Sequence, residues 1–283
     1  MESNQTPERQ AQRDKAQRFH DLHHGPSILV LPNAWDAFSA RLFELAGFKG
    51  VAGTSAGIAN AWGYPDGEIM PRGEMLLAMS RIAHSVAVPV TADMERGWGL
   101  TPEVVAETAR LTLESGAVGI NLEDGTGDRA RPLFDVAEQV EKIVAVRQAA
   151  GAFGVPLLIN ARVDVFADTE GDDADRLAQS IRRGNAYREA GADCIFMMSV
   201  DSKKLIADLV REIDAPINVL ARVGSPTIAE LEQLGVARVT FGSGPHRATM
   251  SQMRGMIEEM QRDGTYNFAK GIISYPEANG YFK

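Results

Sequence analysis

The chain has 283 residues, of which 45% are hydrophobic and 24% are charged, a composition typical of globular proteins. Its net charge of -9 argues against a nucleic-acid surface, because phosphate binding needs clustered lysine and arginine. No apolar run reaches the roughly 18 residues of a membrane span, and the polar N-terminus lacks the hydrophobic region of a secretory signal. The single cysteine, Cys194, excludes an internal disulfide and is compatible with a reducing compartment. We therefore predict a cytoplasmic protein that binds neither nucleic acid nor membranes.

Short apolar segments recur along the chain and alternate with segments of helical periodicity. The apolar segments are nearly continuous, which is typical of parallel strands that helices cover. They span residues 28–33, 50–55, 88–95, 118–124, 155–164, 194–199, 216–221 and 238–243. Eight strand–helix repeats predict an α/β fold of the (β/α)8 TIM-barrel type. The alternative is a doubly wound open sheet, which more often has five or six strands.

The same pass along the chain predicts three segments. Residues 1–20 are polar, and we expect them to form a flexible N-terminal segment. Residues 21–260 carry the strand–helix repeats and are expected to form the catalytic barrel. Residues 261–283 form an aromatic-rich C-terminal extension that would suit docking on another subunit.

Charged side chains follow neighbouring strands at their carboxyl ends, where barrels of this type carry their active sites. In "TADMERGWG" (residues 91–99), Asp93 and Glu95 are two residues apart and so point to the same side of a strand. Glu123 ends the next strand, and Arg162 lies on the strand after that. We expect these four side chains to converge on one rim of the barrel.

Acids this close together cannot all stay ionised unless a positive group joins them. Oxygen ligands without cysteine or convergent histidine favour a hard cation, Mg2+ or Mn2+. The pattern therefore predicts a metal site at Asp93, Glu95 and Glu123. Arg162 is placed to bind a substrate carboxylate with its planar guanidinium group. The alternative is that individual acids only cap helices or stabilise turns.

Four further polar residues near the strand ends each allow a structural or a functional interpretation. Asn218 lies within a predicted strand and is a poor β former, so it is either a hydrogen-bonding residue inside the barrel or a substrate contact. His246 follows the last strand and is a candidate proton donor or substrate contact. Asp124 and Asp164 are the acids for which a purely structural role competes most strongly.

Four segments of the sequence resemble the isocitrate lyase / phosphoenolpyruvate mutase superfamily, and the resemblance runs from about residue 28 to about residue 250. The segments are "LPNAWDAFSARLFELAGFKGVAGTSAGIANAWGYPDGE", "ADMERGWG", "INLEDG" and "INARVDVF". The resemblance implies a (β/α)8 barrel, a homo-oligomer (dimer or tetramer) with a C-terminal helix swapped between subunits, and Mg2+. It also implies a small 2-oxo or 2-hydroxy acid as substrate, with a carbon–carbon or carbon–phosphorus bond formed or broken beside the carboxylate.

The resemblance also implies roles for individual residues. Asp93 corresponds to the direct metal ligand, and Glu95 and Glu123 correspond to the acids that hold the metal's waters. Asp66, in "YPDGE", corresponds to the acid that faces the reacting group. The residues implied in carboxylate binding are Thr54, Ser55, the amide of Ala56, and Arg162.

The segment after "INLEDG" departs from the superfamily's lyases and mutase. "EDGTGDRARPLFD" has no cysteine, lysine or histidine, which argues against isocitrate or methylisocitrate lyase activity. Met198 and Ala52 stand where the mutase has histidine and tryptophan. The sequence therefore resembles the oxaloacetate decarboxylase-like and α-oxo acid lyase-like branch most.

From this resemblance we predict a Mg2+-dependent carbon–carbon lyase or decarboxylase acting on a small 2-oxo (di)carboxylic acid such as oxaloacetate. The reaction would run through a metal-stabilised enolate, which needs no protein nucleophile. The alternatives are a phosphonopyruvate hydrolase-like or other carbon–carbon lyase, and a non-catalytic protein that binds 2-oxo acids.

Overall fold

A computed structural model describes residues 6–282 of the chain. Over this range, nine parallel strands form the main sheet and two antiparallel strands form a separate hairpin. The strands are β1 (Leu29–Leu31), β2 (Asn33–Ala34), β3 (Val51–Gly53), β4 (Val90–Asp93), β5 (Gly119–Glu123), β6 (Gly125–Asp128), β7 (Arg131–Leu133), β8 (Leu158–Val163), β9 (Cys194–Met197), β10 (Ile217–Leu220) and β11 (Arg238–Thr240).

Helices alternate with the strands of the main sheet, as the sequence pattern predicted. They are α1 (Pro7–His23), α2 (Ala37–Leu45), α3 (Ser55–Ala61), α4 (Arg72–Ser85), α5 (Pro102–Glu114), α6 (Val136–Phe153), α7 (Val165–Asp168), α8 (Asp173–Glu189), α9 (Lys203–Glu212), α10 (Ile228–Gln233), α11 (Gly244–Arg262) and α12 (Tyr275–Gly280), with a short 3-10 helix at Asn267–Ala269. None of the helices within residues 6–282 combines the length and the apolar character needed to cross a membrane.

The main sheet closes on itself at the first predicted strand. Its order is β1-β11-β10-β9-β8-β5-β4-β3-β2, so its two ends are β1 and β2, which only Pro32 separates. β1 pairs with β11 and β2 pairs with β3, and the Pro32 carbonyl accepts a hydrogen bond from the amide of Ala52 at 2.9 Å. The predicted (β/α)8 barrel is therefore confirmed, and the open doubly wound sheet is wrong.

The N-terminal segment differs from its prediction. Residues 1–5 lie outside the described range, but Pro7–His23 forms α1 rather than a flexible segment. Phe19 is fully buried, and the side chains of Gln12 and Arg13 donate to the carbonyls of Leu113 and Gly154, both at 2.7 Å. These carbonyls precede β5 and β8, so α1 covers the amino end of the barrel. Its buried residues, Ala16, Phe19 and His23, recur at spacings of three and four and so lie on one face of the helix. The average composition of this polar segment hides that face.

Two other segments complete the architecture. The hairpin of β6 and β7, which was not predicted, follows β5 directly at the carboxyl end of the barrel. The C-terminal extension packs on α2 of the same chain, where the rings of Phe38 and Tyr281 are 5.9 Å apart and Arg41 donates to the Tyr281 carbonyl at 2.7 Å. A swap between subunits stays a prediction, and Lys283 lies outside the described residues.

Candidate active site

A cavity of about 640 Å³ opens at the carboxyl ends of the barrel strands. Residues that follow β3, end β4 and lie on β8 line its floor and one wall. Six predicted site residues line it together: Thr54, Ser55, Ala56, Asp66, Asp93 and Arg162. Of the four side chains expected to converge on one rim, Asp93 and Arg162 line the cavity, whereas Glu95 and Glu123 are buried and do not line it.

Hydrogen bonds from the start of α3 and from β5 fix the carboxylate of Asp93. The amide and the hydroxyl of Ser55 donate to Oδ2 at 3.0 and 2.9 Å, and Asn121 Nδ2 lies 3.3 Å from Oδ1. Ser55 can do this because it begins α3, where Thr54 caps the helix by accepting from the amide of Gly57 at 3.4 Å. A Cβ on Gly57 would lie 2.7 Å from the Thr54 methyl group, so this tight turn requires glycine.

Arg162 forms ion pairs with acids on both sides. Its Nη1 lies 2.5 Å from Oε2 of Glu123, and its Nε donates to Oδ1 of Asp164 at 2.7 Å. β5 and β8 are adjacent, with Glu123 directly opposite Arg162. Burial disfavours the guanidinium charge, but the surrounding carboxylates, including Asp93, outweigh this and raise the pKa of Arg162. Arg162 is therefore a permanent cation in the cavity wall.

The acids of the site outnumber this cation. Burial, followed by the charges of Asp66 and Asp93, raises the pKa of Glu95 to about 8. Desolvation and Asp93 also raise the pKa of Asp66. Burial raises the pKa of Glu123 well above its ordinary value, although Arg162 opposes this. The site therefore either retains protons near neutral pH or attracts a further positive charge.

The donor set fits a hydrated hard cation rather than a cage of direct ligands. Within residues 6–282, no group of three or more histidine, cysteine, aspartate or glutamate side chains is arranged to hold a metal ion directly. Mg2+ commonly takes one or two carboxylates and keeps several waters. Asp93, open to the cavity, could supply the direct ligand, and the buried carboxylates of Glu95 and Glu123 could hold waters. The acid excess described above is what such an ion would neutralise.

Two predicted contacts lie outside the cavity lining. Asn218 is fully buried in the barrel, where its Oδ1 accepts from the hydroxyl of Thr240 at 3.3 Å. This supports its role as a hydrogen-bonding residue inside the barrel rather than as a substrate contact. His246 packs against Trp35, with ring centroids 5.2 Å apart, and burial lowers its pKa. The ring thus lies against the segment between β2 and α2 rather than in the cavity lining, and its role as a proton donor or substrate contact stays a prediction.

Asp124 has the structural role that the sequence left open. Its Oδ2 accepts from Arg183 at 3.0 Å and from the hydroxyl of Tyr187 at 2.7 Å, and both donors lie on α8. Its Oδ1 accepts from the amide of Asp164 at 2.9 Å. Asp124 thus ties β5 and β8 to the helix that covers them, while Asp164 orients Arg162.

Sequence reasoning missed two arginines that line the opposite side of the cavity. Arg222 follows β10 and pairs with Asp201. Arg247, on the first turn of α11, is exposed, and its guanidinium group has no partner within residues 6–282. Both arginines follow strand ends by only a few residues, which is the signal that could have identified them.

The fold and the site together define a class, the (β/α)8-barrel enzymes that bind a small acidic ligand where the strands end. The family model for phosphoenolpyruvate phosphomutase matches residues 19–261. The chain belongs to this family, within the isocitrate lyase / phosphoenolpyruvate mutase superfamily. The superfamily assignment and the prediction of an enzyme of this group are thereby confirmed.

Three relatives show how far the likeness extends. An uncharacterized protein of Mycobacterium tuberculosis is 36% identical over 230 residues, which cover 81% of this chain and 83% of the relative. A 2-methylisocitrate lyase of Bacillus subtilis is 28% identical, covering 90% and 84% of the two chains. Oxaloacetate decarboxylase 2 of Pseudomonas putida is 26% identical, covering 86% and 79%.

Two solved structures share the architecture over almost the whole chain. One, from Burkholderia cenocepacia and described only provisionally as a lyase or mutase, has a TM-score of 0.90 and 37% identity, covering 96% of this chain and 97% of the other. The other is a phosphonopyruvate hydrolase in complex with oxalate and Mg2+. It has a TM-score of 0.84 and 25% identity, and the alignment covers 94% of each chain.

Proposed function

We propose that this protein is a Mg2+-dependent lyase that decarboxylates a small 2-oxo dicarboxylic acid such as oxaloacetate. The observation that carries the proposal is the fixed carboxylate of Asp93 beside Arg162 in one cavity. The oxaloacetate decarboxylase relative and the oxalate and Mg2+ of the hydrolase structure support it.

In this proposal Asp93 would hold the ion, and Glu95 and Glu123 would accept hydrogen bonds from its waters. When bound, Mg2+ would supply Lewis-acid stabilisation of negative charge on the 2-oxo oxygen. Arg162 binds the 1-carboxylate and fixes the plane of the substrate, because its guanidinium group is itself held by Glu123 and Asp164.

Loss of carbon dioxide requires no base, only a proton at C3 once the bond has broken. Asp66 lines the cavity, and desolvation together with Asp93 raises its pKa. We propose that its carboxyl group, or a water beside it, returns that proton. His246 lies outside the cavity lining, so this step is not assigned to it.

The only cysteine of the chain cannot replace the missing acid/base residue of the cysteine-dependent lyases. Cys194 is fully buried in β9, and burial raises the pKa of its thiol to about 12. A retro-aldol cleavage needs a base to deprotonate a hydroxyl group, whereas a decarboxylation does not. The described site therefore favours decarboxylation over methylisocitrate cleavage.

The test is a panel of 2-oxo and 2-hydroxy diacids, assayed with Mg2+ for release of pyruvate or glyoxylate. We expect oxaloacetate to give pyruvate, EDTA to stop the reaction, and Asp93→Ala to abolish it. Full activity in Asp93→Ala would overturn the proposal. Free phosphate from phosphonopyruvate would select the second candidate, which the likeness to the hydrolase favours. Binding of oxalate without turnover of any substrate would indicate a non-catalytic binding protein.

We also propose that a second copy of this chain covers α11. Its exposed apolar residues recur at spacings of three and four, which places them on one face of the helix: Met250, Met253, Ile257 and Met260. Light scattering behind a sizing column tests this, since a monomeric protein would contradict it. The cytoplasmic location stays a prediction.

A further inference from the structure

Glu68 and Arg96 join two loops that carry acids of the candidate site. Glu68 lies two residues after Asp66, between α3 and α4, and Arg96 follows Glu95 after β4. Oε1 of Glu68 accepts from the amides of Arg96 and Trp98 at 2.9 and 2.8 Å. Oε2 accepts from Arg96 Nε at 3.2 Å. One carboxylate therefore holds both the backbone and the side chain of the second loop.

The guanidinium group of Arg96 connects a third segment. Its Nη2 donates to the carbonyl of Gly67 at 3.0 Å, directly beside Asp66. Its Nη1 donates to the carbonyl of Thr126 at 3.1 Å, in the hairpin of β6 and β7. A Cβ on Gly127 would lie 2.3 Å from Nη1, so the hairpin can approach this closely only with glycine there. Arg96 thus contacts all three segments above the acid cluster.

The backbone beneath these contacts is held in an uncommon conformation. Glu68, Glu95 and Trp98 have φ angles of 63°, 43° and 54°, in the left-handed region that non-glycine residues rarely adopt. Arg96 in turn donates to the carbonyl of Gly67, on the loop that carries Glu68. The two loops therefore hold each other reciprocally, and residues in such conformations persist only where surrounding contacts maintain them.

We infer that Glu68 and Arg96 are positioning residues that keep Asp66 and Glu95 close together and couple the β6–β7 hairpin to them. When both acids are ionised they repel each other, and the Glu68–Arg96 pair holds their loops together against that repulsion. The inference rests on the proposed function in one respect, namely that these two acids belong to the ligand-binding site. The coupling of the three segments to one another does not depend on any reaction. Neither residue touches the substrate in this account.

The alternative is that the pair only stabilises the fold, as a partly buried ion pair can. Both side chains are largely shielded from solvent, since 16% of the Arg96 side chain and 15% of the Glu68 side chain are exposed. A purely stabilising pair would shift the melting temperature without selectively changing ligand binding. A positioning pair would change local exchange and ligand affinity more than stability.

The experiment compares Arg96→Lys and Glu68→Gln with a control, Arg110→Lys. Arg110 forms ion pairs with Glu107 and Glu114 on α5, away from the cavity. Arg96→Lys keeps the charge but cannot reach Gly67, Thr126 and Glu68 together, and Glu68→Gln keeps an acceptor for the two amides. Hydrogen–deuterium exchange would be measured over residues 63–71 and 125–133, and oxalate binding by calorimetry with saturating Mg2+.

We expect faster exchange in both segments of Arg96→Lys and about 10- to 100-fold weaker oxalate binding, the range seen when a group that supports metal ligands is lost. Glu68→Gln should give a smaller change of the same kind, and the control none. If exchange in both segments matches the control, the inference is overturned. If Arg96→Lys fails to melt cooperatively, the milder Glu68→Gln decides in the same way.

Failure of the proposed function gives a different result. If the wild-type protein releases no product from any oxo acid, the proposed decarboxylase activity is wrong, but the exchange comparison between variants is unaffected. A wild-type protein that does not bind oxalate at all leaves exchange alone to decide, and unchanged exchange over both segments then overturns the inference.

Discussion

Glu123 and Arg162 face each other on adjacent strands, β5 and β8, with Oε2 and Nη1 2.5 Å apart. The sequence predicted a metal-site acid and a carboxylate-binding cation separately, whereas in the structure these two residues form one ion pair. Any change in Glu123 therefore alters both the water-holding acid and the orientation of Arg162. This dependence makes the pair the most informative target at the rim.

Glu123→Gln should lower activity by about 10- to 100-fold, as loss of a group that supports a metal ion commonly does. The amide preserves shape but removes the charge that faces Arg162. Titration of activity with Mg2+ checks this, and the concentration needed for half-maximal rate should rise. An unchanged Mg2+ dependence would show that Glu123 serves only to hold Arg162.

Ser55→Ala tests how Asp93 is held. The variant loses the hydroxyl bond of 2.9 Å but keeps the amide bond of 3.0 Å to the same oxygen. One lost bond to a charged group is worth about 1.5–3 kcal/mol, so activity should fall by about tenfold or more while the fold persists. Steady-state kinetics measure the activity and a thermal melt checks the fold. Equal activity in Ser55→Ala and the wild type would contradict the assigned geometry.

The fold could be predicted because buried parallel strands leave continuous apolar runs, and each run is visible without knowledge of its neighbours. The rim acids could be predicted because strand ends in a barrel meet in space. The pairing of Glu123 with Arg162 depends on the register between two strands whose paired residues are 39 positions apart in the chain, and composition does not reveal that register. Arg247 was missed because an arginine on a helix normally points to solvent, and only the closed barrel turns that helix end towards the cavity.

The missed helix α1 leads to a pH prediction. His23 is buried against the barrel, and burial, followed by the charge of Arg238, lowers its pKa to about 3. Since the folded pKa lies below the ordinary value of about 6.5, the unfolded chain binds the extra proton first. Stability is complete above about pH 6.5 and is lost as the pH falls towards 3, by about 1.4 kcal/mol per pH unit from this group.

Urea unfolding of the wild type and of His23→Phe, at pH 7 and at pH 5, checks this prediction. The wild type should lose more free energy of unfolding between the two pH values than the variant, whatever their stabilities at pH 7. The same loss in both proteins would show that His23 does not titrate across this range.

Arg247 gives the sharpest test of substrate class, because its guanidinium group lies in the cavity wall without a partner among the described residues. If it binds the second acid group of a dicarboxylic substrate, Arg247→Ala should raise KM for oxaloacetate by about 10- to 100-fold, the equivalent of about 1.5–3 kcal/mol for a bond to a charged group. If oxalate binds at Arg162 alone, its affinity should stay unchanged. Arg254→Ala is the matched control, since Arg254 lies on the same helix but outside the cavity lining. A parallel loss for oxaloacetate and oxalate would instead mean that Arg247 shapes the whole site, and an unchanged KM would exclude it from substrate binding.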